Sequence, residues 1–205
     1  MLATIKRQLN NFPIPPAGTA QIGTQSAAAV LLILHGDPKD PLIILTERAV
    51  HLNNHAGEVA FPGGMREDGD RDLLSTALRE TEEEIGLPSS KIDLLAMLPN
   101  NSLRTSNLRV TPFVGWVEAP YVLNPDPSEI ASIFDLPLSY LMDINHYRYF
   151  NFKEGEMKLP CIEYQQYKIG GFTLKVMVDM LNVTLDAQIK LRYPSQKQRQ
   201  QSGDK

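Results

Sequence analysis

The stretch from Arg71 to Ile85 constrains the fold of this chain more than any other. Its apolar positions recur every three or four residues, and this spacing predicts an amphipathic helix that buries one face against a core. Gly86 and then Pro88 follow in the order that ends helices. The positions on the predicted buried face are Leu74, Ala77, Leu78, Thr81 and Ile85.

Glutamates crowd the last part of this helix. Glu80, Glu82, Glu83 and Glu84 lie within five positions, directly after Arg79. At about 100° per residue, Glu80 and Glu84 share one margin of the apolar face, with Glu83 beside them and Glu82 on the other side. Arg79 can pair with Glu83 one turn later. Repulsion among these carboxylates calls for compensation, either by a divalent cation such as Mg²⁺ or by solvent around a charged face, and the spacing alone allows both.

Length and composition favour a single globular domain. The chain has 205 residues, of which 42% are hydrophobic, enough for one core. We expect residues 1–25 to form an N-terminal extension, residues 26–192 the domain, and residues 193–205 a polar, disordered tail.

Net charge, apolar runs and cysteine content argue against nucleic-acid binding, a membrane span, an internal disulfide and a multi-cysteine zinc site. A net charge of −4 gives no basic footprint for nucleic acid. The longest apolar run, Ala27 to Leu34, is far shorter than the roughly 20 residues of a membrane span. Cys161 is the single cysteine, so an internal disulfide and a multi-cysteine zinc site are excluded, and we expect a reducing, cytoplasmic location.

The rest of the sequence predicts a mixed α/β domain. Two apolar runs around "HGDPKD" predict a hairpin over residues 27–48, and "EVAFPGG" predicts a short strand that ends in a glycine turn. Further strands are expected at 92–98 and 109–117. Residues 124–142 suggest a turn and a short helix, and residues 171–189 a longer helix.

Two segments resemble a known family. "RETEEEIGL", Arg79 to Leu87, resembles the Nudix box, whose core reads R-E-apolar-x-E-E-x-G-apolar. Upstream, "ILTERAVHLNNHAGEVAFPGG", Ile44 to Gly64, is similar to the signature of the coenzyme A pyrophosphatase branch. The resemblance implies an α/β/α sandwich with a mixed sheet and the box as a loop–helix–loop. Asp70 stands where the generic box has glutamate, with a longer spacing to Arg79.

The resemblance also implies roles for particular residues. It implies Mg²⁺ or Mn²⁺ bound by Glu80, Glu83 and Glu84. The residues it places in catalysis are Glu83, Glu84, Arg79, which would orient Glu83, and Glu129, a candidate fourth ligand or base from a later loop. Those it places at the substrate are Arg48, His55, Gly63 and Gly64.

The implied reaction is hydrolysis of a nucleoside diphosphate linked to another group. The leading interpretation is cleavage of coenzyme A or its thioesters to 3′,5′-ADP and 4′-phosphopantetheine or its acyl form. Asn53, where that branch has arginine, keeps open another substrate such as ADP-ribose or NADH. A non-catalytic Nudix-fold binding module is a further alternative. The expected partner is a small molecule, and a homodimer is left open.

Overall fold

The computed structural model describes residues 1–16, 27–52, 54–99, 101–102, 108–152 and 157–193, with the backbone alone at residues 101, 102, 152 and 157. The chain forms two compact units, Met1–Leu138 and a second unit that begins at Ser139. The domain limits drawn from the sequence at residues 26 and 193 stay predictions.

The elements of the first unit alternate between strands and helices. They are α1 Leu2–Leu9, β1 Ala27–Asp37, β2 Asp40–Arg48, β3 Val59–Ala60, β4 Gly63–Met65, α2 Leu73–Ile85, β5 Ile92–Met97, β6 Asn101–Ser102, β7 Arg109–Val117 and β8 Ile130–Pro137. Those of the second unit, entered through α3, are α3 Leu138–Met142, β9 Tyr147–Phe152, β10 Met157–Tyr164, β11 Tyr167–Gly170 and α4 Gly171–Leu185.

The described part of the first unit contains one eight-stranded sheet, in which β1 is central. β1 pairs antiparallel with β2, which confirms the predicted hairpin, and parallel with β7. The sheet continues from β2 to β3 and β8, from β1 to β4, and from β7 to β5 and β6. Both pairing directions occur, so the predicted α/β class with a mixed sheet is confirmed.

Helix α2 is the predicted box helix, and local signals set both of its ends. Asp72 is the N-cap: its Oδ1 accepts a hydrogen bond from the Ser75 amide at 2.8 Å, while Ser75 Oγ accepts one from the Asp72 amide at 3.0 Å. Gly86 ends the helix in the left-handed region, with φ of 68°. Ala77, Ile85 and their neighbours pack on the β1 core, as the periodicity predicts.

The prediction for residues 124–142 is wrong in part. Residues Ile130–Pro137 form strand β8, which pairs antiparallel with β2, and the helix is confined to Leu138–Met142. Burial alternates around Phe134, Asp135 and Leu136, as in a strand with one buried face. The local sequence pattern of this segment did not distinguish a strand from a helix. Pairing with the edge of β2 made it a strand.

Two other boundaries differ from the sequence prediction. "EVAFPGG" forms two short strands instead of one, because β3 pairs with β2 whereas β4 pairs with β1. Helix α4 ends at Leu185, before the predicted end at residue 189, since Asp186 adopts the left-handed region with φ of 50°.

Helix α1 belongs to the first unit. It buries Leu2, Ile5 and Leu9, and Lys6 Nζ lies 2.9 Å from Asp93 Oδ2 at the start of β5. In the second unit, α4 packs on the antiparallel sheet of β9, β10 and β11, which holds the buried Cys161. Across the described ranges, no helix combines the length and apolarity that crossing a membrane requires.

Candidate active site

Arg79 is fixed to Asp70, in the loop before α2. Arg79 Nε and one Nη each donate to a different Asp70 oxygen at 3.0 Å. Asp70 is buried and also accepts from Thr76 Oγ1 and the Glu67 amide, each at 2.9 Å. The Arg79 guanidinium holds the pKa of Asp70 well below its usual range, although burial acts in the opposite direction. The sequence marked Asp70 only as a substitution within the motif and missed this pairing.

The remaining donors of Arg79 bind two of the box glutamates. One Nη donates to Glu83 Oε2 at 2.8 Å, and this confirms the predicted pair one helical turn apart. The other Nη lies 3.0 Å from Glu80 Oε1 and 3.3 Å from the Met65 carbonyl oxygen. Arg79 is therefore committed to three carboxylates, and its own pKa is raised chiefly by Asp70.

Glu84 is the most buried carboxylate of the group, with 3% of its surface exposed. Its Oε2 accepts the Gly63 amide at 3.0 Å, and its Oε1 lies 3.3 Å from an Nη of Arg48. Burial raises the pKa of Glu84 to about 7, against the lowering effects of Gly63 and Arg48, while the charges of Glu80 and Glu129 raise it further.

Gly63 and Gly64 allow the loop to approach the helix. A Cβ on Gly64 would lie 2.5 Å from the carboxyl group of Glu80. Gly63 has φ of 150°, and a Cβ there would lie 2.3 Å from the Ala29 carbonyl oxygen. The two glycines thus place a bare backbone against two carboxylates of the box helix.

Glu129 reaches the same group from the loop before β8. Its carbonyl oxygen accepts the Ala49 amide at 2.7 Å, and the Asp126 amide donates to the Glu84 carbonyl oxygen at 3.0 Å. The charge of Glu129 raises the pKa of both Glu80 and Glu84. The structure therefore places the backbone of the loop that carries Glu129 against the end of the box helix, and the charge of Glu129 acts on two box glutamates. Glu83, by contrast, is exposed and held by Arg79.

His55 lies in a loop that returns to β2 beside Arg48. The Gly57 amide donates to the Arg48 carbonyl oxygen at 3.1 Å, and the Arg48 amide donates to the Glu58 carbonyl oxygen at 3.0 Å. The His55 side chain is exposed and its Nδ1 lies 2.9 Å from Glu58 Oε2. Asn53 lies outside the described residues.

The carboxylates suit a hard divalent cation, although they are not arranged as a finished cage. Among the described residues, no three His, Cys, Asp or Glu side chains already converge as metal ligands. One oxygen each of Glu80, Glu83 and Glu84 lies within 3.3 Å of a guanidinium nitrogen. The donor chemistry nevertheless fits, because every side-chain donor is a carboxylate oxygen. Burial raises the pKa of Glu80, and the charges of the neighbouring carboxylates raise it further. A bound cation would offset the repulsion among these carboxylates.

Comparison with known proteins identifies the family. The NUDIX domain family matches residues 24–150, more than half of the chain. The chain belongs to the Nudix family. It is similar to an uncharacterized Nudix hydrolase, NudL, of Photorhabdus laumondii, with 37% identity over 174 residues, 82% of this chain and 91% of that protein. The NudL of Yersinia pestis is 43% identical over 157 residues, 75% of this chain and 77% of that protein.

The family match and these relatives show that the chain is a Nudix hydrolase. Enzymes of this class act on nucleoside diphosphate derivatives and generally use divalent cations such as Mg²⁺ or Mn²⁺. A MutT/nudix family protein from Enterococcus faecalis has a similar fold, with a TM-score of 0.55 and 13% identity over 91% of this chain and 70% of that one. The predicted Nudix fold is thereby confirmed.

Proposed function

We propose that this Nudix hydrolase cleaves the diphosphate bond of coenzyme A or its thioesters in a divalent-cation-dependent reaction. The products are 3′,5′-ADP and 4′-phosphopantetheine or its acyl form. One observation carries the proposal: the segment that resembles the coenzyme A branch and the box helix meet on a single carboxylate. Arg48 and Gly63 of that segment both bind Glu84 of the helix.

The carboxylates have distinct tasks in this reaction. Glu80, Glu83 and Glu84 are the groups that would hold Mg²⁺ or Mn²⁺. Such an ion supplies neutralisation of the diphosphate charge and a lowered pKa of the attacking water. Asp70 fixes Arg79, and Arg79 in turn fixes Glu83. Glu129 takes the proton of the water that attacks phosphorus, while the anhydride P–O bond breaks and the second phosphate leaves.

Substrate binding falls to the segment that carries Arg48, His55, Gly63 and Gly64. Arg48 carries a guanidinium suited to a phosphate oxygen, and it lies next to the carboxylate group. The glycine backbone lies directly against the Glu80 carboxyl group, because no side chain of Gly64 separates them. His55 is exposed at the loop that leads back to Arg48, where it can meet a part of the substrate beyond the diphosphate.

An alternative substrate is another nucleoside diphosphate derivative, such as ADP-ribose or NADH. Asn53 favours it, since it replaces an arginine of the coenzyme A branch. A binding module without catalysis is disfavoured by the complete set of box glutamates.

A chromatographic assay tests these alternatives. The purified protein is given coenzyme A, acetyl-coenzyme A, ADP-ribose and NADH, each with Mg²⁺ and with Mn²⁺, beside Glu83→Gln and Glu84→Gln. We expect 3′,5′-ADP to form fastest from coenzyme A or its thioester, and the two variants to be inactive. Faster cleavage of ADP-ribose or NADH would overturn the substrate proposal, and full activity in both variants would overturn the assigned site.

A further inference from the structure

The contacts around Arg48 explain the position of its backbone but not that of its side chain. It ends β2, where the pairing with β8 shifts register between Glu47 and Arg48. Its backbone is held on both sides by the returning loop, through the amide of Gly57 and the carbonyl oxygen of Glu58. The backbone of Arg48 is therefore fixed, whereas its side chain spans 36 positions of sequence to reach Glu84.

The two partners of Glu84 differ in how readily they can leave. The Gly63 amide belongs to β4, where Gly63 pairs with Val30 of β1, so its position is set by the sheet. The Arg48 side chain is 25% exposed and long. Its 3.3 Å contact exceeds the about 2.7–2.9 Å of a strong guanidinium–carboxylate hydrogen bond. Arg48 is the partner that can move.

The charges around Glu84 make Arg48 a stand-in for a cation. Glu80 and Glu129 add negative charge near Glu84, and Arg48 is a cation in contact with it, with 3.3 Å between Nη1 and Oε1. Arg79 is occupied by Asp70, Glu80 and Glu83. A divalent ion bound at Glu84 would compete with the Arg48 guanidinium for this carboxylate, because two positive charges held at one carboxylate repel each other.

We propose that Arg48 is an exchangeable counter-ion of Glu84, which neutralises this carboxylate in the metal-free enzyme and moves to the substrate diphosphate when a divalent cation takes its place. This inference rests on the proposed function, since it needs a cation at Glu84 and a diphosphate beside it. Arg48 then couples the two binding events: the cation frees the guanidinium, and the diphosphate holds it away from the metal ligands.

If Arg48 exchanges in this way, the Arg48→Gln substitution should have opposite effects on the affinities for the metal ion and for the diphosphate. Mn²⁺ is titrated into the free protein at pH 8.5, where protons compete least for the carboxylates, and unbound Mn²⁺ is followed by electron paramagnetic resonance. We expect Arg48→Gln to bind Mn²⁺ about fivefold tighter or more. At saturating Mn²⁺, the same variant should bind α,β-methylene-ADP about fivefold more weakly or worse. A purely structural role of Arg48 would weaken both.

Three further variants separate the causes. Glu84→Gln should weaken Mn²⁺ binding, and Arg71→Gln, which removes the same charge from an exposed arginine beside Asp72, should leave it unchanged. Arg48→Lys keeps the charge, so its Mn²⁺ affinity should stay closer to wild type than that of Arg48→Gln. Wild-type Mn²⁺ affinity in Glu84→Gln would overturn both the proposed metal site and this inference.

The inference alone fails if Glu84→Gln weakens Mn²⁺ binding while Arg48→Gln does not tighten it, or if methylene-ADP binds Arg48→Gln as well as wild type. If Arg48→Gln does not fold, the wild-type protein supplies the test. The ¹⁵Nε resonance of Arg48, assigned by its loss in Arg48→Lys, should shift on saturation with Mg²⁺ and again on addition of methylene-ADP. A resonance that moves in neither step overturns the exchange.

Discussion

Asp70 and Arg79 are joined by two hydrogen bonds of 3.0 Å each, one to each oxygen of the Asp70 carboxylate. The pair ties the loop before α2 to the middle of that helix, and Arg79 extends it to Glu83. Since Asp70 is buried and its oxygens also accept from Thr76 and Glu67, the geometry of the box glutamates depends on a residue outside the helix.

Asp70→Asn should therefore destabilise the protein strongly. The substitution removes the carboxylate that accepts two hydrogen bonds from the partly buried Arg79, which keeps Glu80 and Glu83 as partners, and the loss of such charged hydrogen bonds should cost about 2–3 kcal/mol. Urea unfolding at pH 7 measures the loss. Asp68→Asn makes the same change of charge at an exposed position two residues away and should alter the free energy of unfolding by less than about 0.5 kcal/mol. Equal effects of the two substitutions would contradict the structural role of Asp70.

The same pair predicts acid sensitivity. The folded-state pKa of Asp70 lies below its unfolded value, so the contribution of the pair to stability is complete above about pH 5 and is lost as the pH falls through the unfolded pKa of about 3.9 toward the folded one. The difference in unfolding free energy between wild type and Asp70→Asn should shrink between pH 5 and pH 2.5. A difference that stays constant over this interval would show that the pair is not the cause.

Glu84 predicts a pH dependence of the opposite sign. Its folded-state pKa is raised from 4.5 to about 7, so the folded protein binds this proton more tightly than the unfolded chain does. In metal-free protein its contribution to stability should fall by roughly 3 kcal/mol as the pH rises from 4.5 to 7. Glu84→Gln lacks this dependence, and parallel stability curves for the two proteins over that range would contradict the burial of an ionisable Glu84.

Adjacent glycines should fail in different ways. Gly63→Ala meets the backbone of Ala29 at 2.3 Å in a strained conformation, and we expect a loss of about 3 kcal/mol in stability. Gly64→Ala meets only the flexible end of Glu80, so the fold should persist while kcat falls about tenfold or more because that carboxylate is displaced. Thermal melting and turnover of both variants distinguish the two outcomes, and an active Gly63→Ala protein with normal stability would refute the packing argument.

A hydrogen-bonded chain in the first unit should contribute to stability. Tyr121 Oη lies 2.6 Å from Nδ1 of the buried His35, whose Nε2 lies 2.8 Å from Asp135 Oδ1. Tyr121→Phe leaves a buried ring nitrogen without this partner and should cost about 1–2 kcal/mol. Tyr149→Phe removes a hydroxyl that accepts the Arg192 amide at 3.1 Å on an exposed ring, and in the same chemical denaturation it should cost about 0.5 kcal/mol, because water can replace an exposed hydrogen bond. Equal stabilities of the two variants would contradict the importance of the chain.

The sequence predicted those parts of the protein whose cause is local. Helix α2 was found because its periodic face, its glycine end and its pair of Arg79 with Glu83 lie within a few turns. The contacts of Arg48 with Glu84 and of Gly64 with Glu80 were not predicted, since each joins residues distant in sequence. Strand β8 was missed because its pairing with β2 outweighs its own weak pattern.

The second half of the loop between β7 and β8, residues 124–129, is attached at both of its ends. The amides of Asn124 and Asp126 donate to the last carbonyl groups of α2, those of Ile85 and Glu84, while the carbonyl oxygen of Glu129 accepts the Ala49 amide. These bonds fix how many loop residues can lie between the contact with the end of α2 and the start of β8. An inserted or deleted residue between Asp126 and Glu129 would carry the acidic side chain away from the box. The length of this segment is therefore set by the distance between the end of α2 and the start of β8 that it bridges.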